Sequence, residues 1–335
     1  MIKIEEITSL DGLNSLSAEW GGLWDRCPTA TPFQLPGWIV PWCKCFCGEN
    51  EIFTVAIRAE GRLVALAPLL IEPAFGKEKT RRLVFMGTGI SDYLDMIAEP
   101  GMAGESARLV LEKIYGARSK WDICHFEELR ENSPFFHLTD FGGLGHEFSP
   151  MSVCPVLALP EDPEKLKDNY SAALRQSLKK ARKSLLKTGD VLFESAPPGN
   201  TGDFLDEFFS LHEKWWSGLR HSEGVLQGKE IRAFHREAAR NLLALGMLRL
   251  YGFRVNGRLS AIIYGFASRG RFYAYLGGFE PSLDRMSPGS LAIEYAMRQC
   301  IEECIREFDF LRGSEKYKYN WGAKDGANYR LKLFH

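Results

Sequence analysis

Long apolar runs are missing from this 335-residue chain, and no stretch approaches the length that spans a bilayer. The opening residues, Met1-Ile2-Lys3-Ile4-Glu5-Glu6, lack the apolar core of a secretory leader, so the expected compartment is the cytosol. Excess charge is missing too. Lys and Arg number 42 against 43 Asp and Glu, a net charge of −1. That argues against a protein that coats nucleic acid by bulk charge, but leaves room for a local basic patch. The eight cysteines have neither disulfide nor zinc spacing: Cys43, Cys45 and Cys47 alternate with other residues, where zinc sites favour a two-residue gap. Free buried thiols are expected, with Cys300 and Cys304 one turn apart on a buried helix face. No P-loop, nucleophile-elbow serine or metal-ligand cluster is found, so no metal is expected.

What the chain does have is a weak copy of itself. Arg58-Ala59-Glu60-Gly61-Arg62-Leu63-Val64-Ala65-Leu66 recurs as Arg254-Val255-Asn256-Gly257-Arg258-Leu259-Ser260-Ala261-Ile262. Each copy sits between apolar runs and is followed by a Pro-Gly pair, Pro100-Gly101 or Pro288-Gly289. A helix-like segment comes next, then a short run with an aspartate, Trp121-Asp122-Ile123-Cys124 or Phe308-Asp309-Phe310-Leu311. This order predicts two related domains, residues 1–150 and 151–335, each of ordinary size.

In the first half, 51–59 and 62–71 read as a hairpin closed at Glu60-Gly61. Short strands are predicted at 83–86 and 94–98, a helix at 103–115, a strand at 121–126 and a connector at 131–150. In the second half, a strand at 153–159 precedes a helical region, 163–188, that Gly189 ends. Helices at 203–218 and 229–245 lead to a hairpin, 247–255 and 259–268, around Asn256-Gly257. A third strand (271–279), a helix (290–308) and a strand (308–311) complete it.

Four constellations carry chemistry. The first is Gly277-Gly278-Phe279 followed by Asp284-Arg285-Met286-Ser287-Pro288-Gly289-Ser290. Paired glycines at a strand end admit a ligand to the backbone, and a helix start offers N–H groups and a positive dipole end to a phosphate, with Arg285 as an added cation. An ordinary turn with a serine N-cap is the plain alternative. The second is the run from Asp309 to Lys318, where Glu315 is a candidate base, Tyr317 a candidate acid or oxyanion donor, and Arg312 and Lys318 anion binders; its alternative is a solvated charged loop. The third is His212 with Trp215 and Trp216, a candidate acceptor pocket whose imidazole would titrate near neutrality, or else a buried, hydrogen-bonded histidine. The fourth is a basic helix. Arg175, Lys179, Lys180, Arg182, Lys183 and Lys187 occur between residues 169 and 189 without one acid, while Leu174, Leu178, Ala181 and Leu185 form a docking stripe. It is either a solvated amphipathic helix or a surface for a polyanion such as transfer RNA, a lipid-linked nucleotide sugar or an anionic membrane face.

The order of hairpin, third strand, Gly-containing turn, helix and strand is that of the GNAT acyltransferases. Over most of its length the chain resembles the tandem GNAT-fold acetyltransferases of the BioF-like and CelD-like family, relatives of the FemAB peptidyltransferases. The matching residues are Leu211-His212-Glu213-Lys214-Trp215-Trp216, Ser287-Pro288-Gly289-Ser290-Leu291 and Asp309-Phe310-Leu311-Arg312-Gly313-Ser314-Glu315-Lys316-Tyr317-Lys318, with the basic helix and the segment Pro32-Phe33, Trp38, Trp42. The resemblance implies an α/β (α+β) fold of two GNAT-like domains. It implies transfer of an acyl group from acetyl-CoA to an amine or hydroxyl of a sugar or cell-envelope (exopolysaccharide) precursor. Under it, Glu315, Tyr317 and His212 are catalytic; Gly277, Arg285, Ser287, Gly289 and Ser290 hold the coenzyme; Trp215, Arg312 and Lys318 meet the acceptor. The family's phosphate turn reads Gln/Arg, two residues, Gly, one residue, Gly/Ala. Here Pro288 stands at its first glycine and Ser290 at its last, so one N–H donor is lost. The donor is therefore open between acyl-CoA and the aminoacyl-tRNA that FemAB relatives use, and a non-catalytic module of polysaccharide assembly is a third reading. In the first copy, Glu99 and Glu105 flank Pro100-Gly101, which suits a phosphate poorly.

Overall fold

The computed structural model of the chain describes all residues except 76–78, 219–225 and 227; for 75, 198 and 215–218 only the backbone is described. The chain divides into two units: Met1–Ser152 with Ala327–His335, and Val153–Gly326. The last nine residues thus lie with the first unit, whereas the sequence predicts a second domain running to residue 335.

The first unit opens with β1 (Ile2–Ile7), α1 (Leu10–Arg26) and α2 (Pro36–Phe46). Ser9 caps α1, its hydroxyl accepting from Gly12 N at 3.1 Å. The aromatic residues of this stretch are core. Three buried indoles donate inward: Trp20 to Gln34 O (2.9 Å), Trp24 to Thr31 O (2.7 Å), Trp38 to Ser91 Oγ (2.9 Å). Then come β2 (Glu51–Ile52), β3 (Thr54–Ala59), β4 (Arg62–Ala67), β5 (Leu69–Phe75), β6 (Thr80–Phe85), β7 (Ile97–Ala98), α3 (Ala103–Gly116) and β8 (Ile123–Arg130). The hairpin predicted at 51–71 is cut on both arms, at Phe53 and at Pro68, which has no N–H for a ladder. Its tip, β3 and β4, lies in a sheet of order β1-β3-β4-β7, while β2 and β5 pair with each other and continue to β6 and β8.

The second unit contains the end of β9 (Gly145–Ala158), α4 (Ala172–Leu185), β10 (Val191–Ser195), α5 (Thr201–Gly218), α6 (Lys229–Ala244), β11 (Leu248–Val255), β12 (Arg258–Ser268), β13 (Arg271–Phe279), α7 (Pro288–Glu302), β14 (Glu307–Asp309) and α8 (Lys316–Asn320). Its strands run β10-β11-β12-β13-β14-β9. All neighbours are antiparallel except β13 and β14, which are parallel. Side chains alternate across the sheet. Ile263 faces the core that α4 and α7 build with Leu174, Leu178, Ala292 and Met297; the next residue, Tyr264, meets Phe208 of α5 and His235 of α6. A final strand, β15 (Lys324–Phe334), leaves this unit and pairs with β8 in the first; the sequence pattern did not announce it.

Two predicted helices are shorter than expected. The region 163–188 breaks at residues 169–171, where Ser171 caps α4 through Leu174 N at 3.1 Å and donates its own N–H to Asn320 O at 2.8 Å. The helix predicted to reach residue 308 stops at Glu302. Cys304 turns at φ 60° and is exposed, so it does not share the buried face of Cys300. The connector predicted at 131–150 contains a single 3-10 turn, Pro134–His137, and the start of β9. All eight cysteines are free thiols, five of them buried.

Candidate functional site

The site is built where two parallel strands part. β13 pairs with β14 only from Arg271 to Tyr273, opposite residues 307–309, yet runs on to Phe279. Residues 274–279 keep β12 on one side and, among the described residues, have no strand on the other. A 3-10 turn, Pro281–Met286, then delivers Ser287 in the left-handed region (φ 49°, ψ 51°), and α7 begins at Pro288. Ser287 gives its N–H to Asp284 O (3.0 Å) and accepts at its carbonyl from Leu291 N (3.2 Å), but its side chain makes no cap bond. Pro288 has no N–H. The N–H groups of Gly289 and Ser290 accordingly have no partner among the described residues, and the first turn holds no acid. An uncapped helix start of this kind attracts an anion.

The basic helix α4 lies against that start. Ser177 Oγ is 3.5 Å from Ser287 Oγ. One turn into α7, buried Glu294 accepts from Tyr170 Oη (3.4 Å) and pairs with Arg182 of α4. Arg285 is exposed and makes no ion pair among the described residues. The structure thus unites Arg285, Ser287, Gly289 and Ser290 around one turn and adds Ser177, which the sequence did not single out.

The paired glycines lie near the end of β13, beside α5. A Cβ on Gly278 would lie 3.4 Å from His212 Cα, an ordinary van der Waals contact with α5. A Cβ on Gly277 would stand 3.3 Å from Ile263 Cδ1. Gly278 is buried and Gly277 is partly exposed.

The run after β14 is a clamped loop. Asp309 is fully buried; its Oδ1 accepts from Leu311 N at 2.9 Å and its Oδ2 lies 3.4 Å from Arg271 Nη1. Leu311 (φ 57°) and Gly313 (φ 111°) turn the chain sharply. Lys318, 2% exposed, ties the turn: its ammonium donates to the carbonyls of Leu311 (3.1 Å), Arg312 (2.6 Å) and Gly313 (3.1 Å) and pairs with Glu315 at 2.9 Å. That charge is committed inside the loop and is not presented to an anionic substrate. Glu315 is exposed; Tyr317 is half-exposed, with its ring edge-on to Phe310 at 6.2 Å. Arg312 is partly buried beside them. At the end of α8, Asn320 and Trp321 carry the N-terminus of α4, Trp321 meeting Tyr170 at 4.9 Å, so loop, α4 and α7 form one framework.

His212 is buried beside Phe208 (5.7 Å), and burial pulls its pKa down to about 4. Near it His235 is pushed to about 3 by burial and by the His212 charge. Both pKa values lie below the physiological range, so of the two readings of His212 burial is the one found, and titration near neutrality is not. The histidines face a cluster the sequence reading passed over: Tyr264 and Tyr275 stand 5.8 and 5.7 Å from His235. Its signal was the alternation of Tyr264 with Phe266 and of Tyr273 with Tyr275. The side chains of Trp215 and Trp216 lie outside the described residues. Among the described residues no cluster of His, Cys, Asp and Glu can hold a metal, and no helix is long and apolar enough to cross a membrane.

With this geometry in hand, known proteins give a consistent answer. Residues 172–319 match the acetyltransferase (GNAT) domain family. By shape the chain is similar to FemX (TM-score 0.66, 11% identity, covering 98% of this chain and 96% of that one). It is also similar to the C-terminal domain of a putative lysylphosphatidylglycerol synthetase from Agrobacterium fabrum (0.61, 13%, 96% and 92%). A tandem GNAT protein from the clavulanic acid biosynthesis pathway aligns at 0.50 and 15% identity over 99% and 98%. No curated protein matches by sequence. The chain is therefore a mixed α/β protein of GNAT-fold domains. Residues 172–319, which span α4 to α8, form a domain of the GNAT acyltransferase fold.

Proposed function

We propose that the second unit is an acyltransferase whose donor is an acyl-CoA, acetyl-CoA in the simplest case. The observation that carries this reading is the uncapped start of α7 at the end of a strand edge left open by β14. The pyrophosphate would lie on the N–H groups of Gly289 and Ser290, flanked by the hydroxyls of Ser177 and Ser287 and by Arg285. The pantetheine arm would run along residues 274–279, on the edge of β13 away from β12, and bond it as an added strand would. The acceptor's amine or hydroxyl then attacks the thioester carbonyl, loses its proton to a base, and the coenzyme leaves as thiolate or thiol. Glu315 is the proposed base and Tyr317 the proposed acid, both on the turn after β14, with Arg312 toward the acceptor. His212 is placed as a neutral hydrogen-bonding wall, since an imidazole with its pKa near 4 is a weak base. A sugar or envelope-precursor acceptor, and membership of the CelD-like or BioF-like branch, rest on the sequence resemblance alone.

The test is isothermal titration with acetyl-CoA and with free coenzyme A, on the wild type and on Gly289→Glu. A glutamate there sets a like charge against the pyrophosphate, while the site leaves ordinary van der Waals room for its Cβ, 3.4 Å from the Phe279 ring. Binding by the wild type and at least tenfold weaker binding by the variant are expected. Absence of binding by the wild type would reject the acyl-CoA reading.

A further inference from the structure

We propose that the outward face of α4 is a docking surface for an anionic membrane, bound through its lipid headgroups. The inference goes beyond the acyl-transfer reading and does not depend on it.

The observations begin with spacing. Arg175, Lys179, Lys183 and Lys187 follow one another at four-residue intervals, with Lys180 beside them, so they stack in one row along the helix and its C-terminal turn. Burial of Leu174, Leu178, Ala181 and Leu185 fixes the helix with that row outward. All five cations are exposed, and none makes an ion pair among the described residues. Several arginines elsewhere, by contrast, are matched: Arg58, Arg254, Arg236 and Arg271 each hold a carboxylate. Like charges four residues apart on a helix repel. A row of them with no internal partner is complementary to a surface of opposite sign.

The apolar content of the face decides which surface. Leu186 is 74% exposed and stands within the cationic face, one turn after Arg182 and Lys183. Leu192, on the edge strand β10 that follows, is also exposed. Lysines that keep their heads in the headgroup layer beside leucines that enter its boundary make a peripheral membrane contact. A nucleic-acid face would offer aromatic rings for base stacking, and α4 has none. With a net charge of −1 on the whole chain, the attraction has to come from this face.

The test is sedimentation of the full chain with vesicles of phosphatidylcholine, with and without phosphatidylglycerol, over a range of salt. Binding is expected only with phosphatidylglycerol and should weaken as salt rises. Removing one cation should weaken it about fivefold, the equivalent of about 1 kcal/mol per charge. The double variant Lys179→Glu, Lys183→Glu should abolish it. Leu186→Ser, which leaves every charge in place, should weaken it severalfold, a readout that a purely electrostatic contact with RNA would not give. Equal binding to neutral vesicles, no binding to either, or wild-type binding by the double variant would overturn the proposal. So would tight binding of transfer RNA through the same lysines with no vesicle binding. Acetyl-CoA titration of these variants keeps the two readings apart: a protein that loses vesicles but keeps coenzyme has lost only the docking face.

Discussion

The two copies of the hairpin are built alike, and the helices that follow them are not. β3 and β4 turn through Glu60 (φ 50°) and Gly61 (φ 80°); β11 and β12 turn through Asn256 (φ 49°) and Gly257 (φ 79°). Both carry a bulge at the residue before the arginine, Ile57/Arg58 and Phe253/Arg254. Arg58 pairs with Glu5 of β1 and Glu19 of α1; Arg254 pairs with Glu194 of β10 and Glu207 of α5. A scaffold repeated to this level of detail is under one set of packing constraints. At the next helix the copies diverge. Before α3, Glu99 is buried and held by Arg26 and Arg62, and Glu105 occupies the first turn. Burial pushes the Glu99 carboxyl up, but the two guanidiniums outweigh it and hold the pKa below the ordinary value. The start of α7 has no acid, no side-chain cap and a basic helix alongside. The fold is common to both units, while the helix start is uncapped and free of acid in one and taken up by internal charge in the other.

The largest expected effect concerns the strand after each helix. β8 runs for eight residues; β14 stops after three, and Lys318 clamps the turn that follows. Lys318→Met would leave three carbonyls without their donor in a buried turn and free Glu315. Loss of about 3 kcal/mol or more is expected, read as the shift in denaturant midpoint. A loss below about 1 kcal/mol would mean that the loop holds itself and that Lys318 is free to serve a substrate.

Much of this architecture was legible in the chain. Arg271–Phe279 reads as a strand end to end because apolar alternation and flanking turns agree, and Ala103–Tyr115 reads as a helix from its 3.6-residue period, one residue short of the observed end at Gly116. The turn from Arg285 to Ser290 was legible because proline and glycine punctuate it. What could not be read was set by distant partners. Ser171 ends the helix region because Asn320 holds it, and Lys318 looks like a surface charge until its three carbonyls fold beneath it. The approach of α5 to Gly278 was equally out of reach, because His212 is far from it in the chain.

A smaller effect separates the helices that carry the hairpin's glutamates. Five residues past Glu19, α1 has Trp24; five past Glu207, α5 has His212. The indole is buried and satisfied by Thr31 O, whereas the imidazole is buried at the cost of staying neutral. A histidine whose folded pKa lies near 4 binds fewer protons than its unfolded form between about 4 and the ordinary value of 6.5. Stability should therefore fall as pH drops through that window and level off below it. His235, at about 3, extends the fall. By pH 5 each contributes a loss of about 2 kcal/mol. Melting temperatures from pH 8 to 5 should decline in the wild type, and the slope should flatten when both histidines are replaced by glutamine. An unchanged slope would place the titration elsewhere.

The finest distinction lies in the turns themselves, where the copies differ by one residue. Both first turn positions sit near φ 50°, a region asparagine tolerates and glutamate resists. Glu60 is compensated by an ion pair with the amino group of Met1, but both partners are exposed, so that pair is worth little. Exchanging the residues should therefore move the two hairpins in opposite directions. Glu60→Asn is expected to stabilise by about 0.5 kcal/mol. Asn256→Glu should cost more than that, because Asn256 also accepts from Asp190 N at 3.0 Å and donates to Thr188 O at 3.3 Å, tying the turn to the loop after α4. Thermal melts of the two single variants decide it. Equal and opposite shifts would show that backbone preference alone governs both turns, and the larger loss at Asn256 would show that the second copy has recruited its turn to anchor the helix that the first copy lacks.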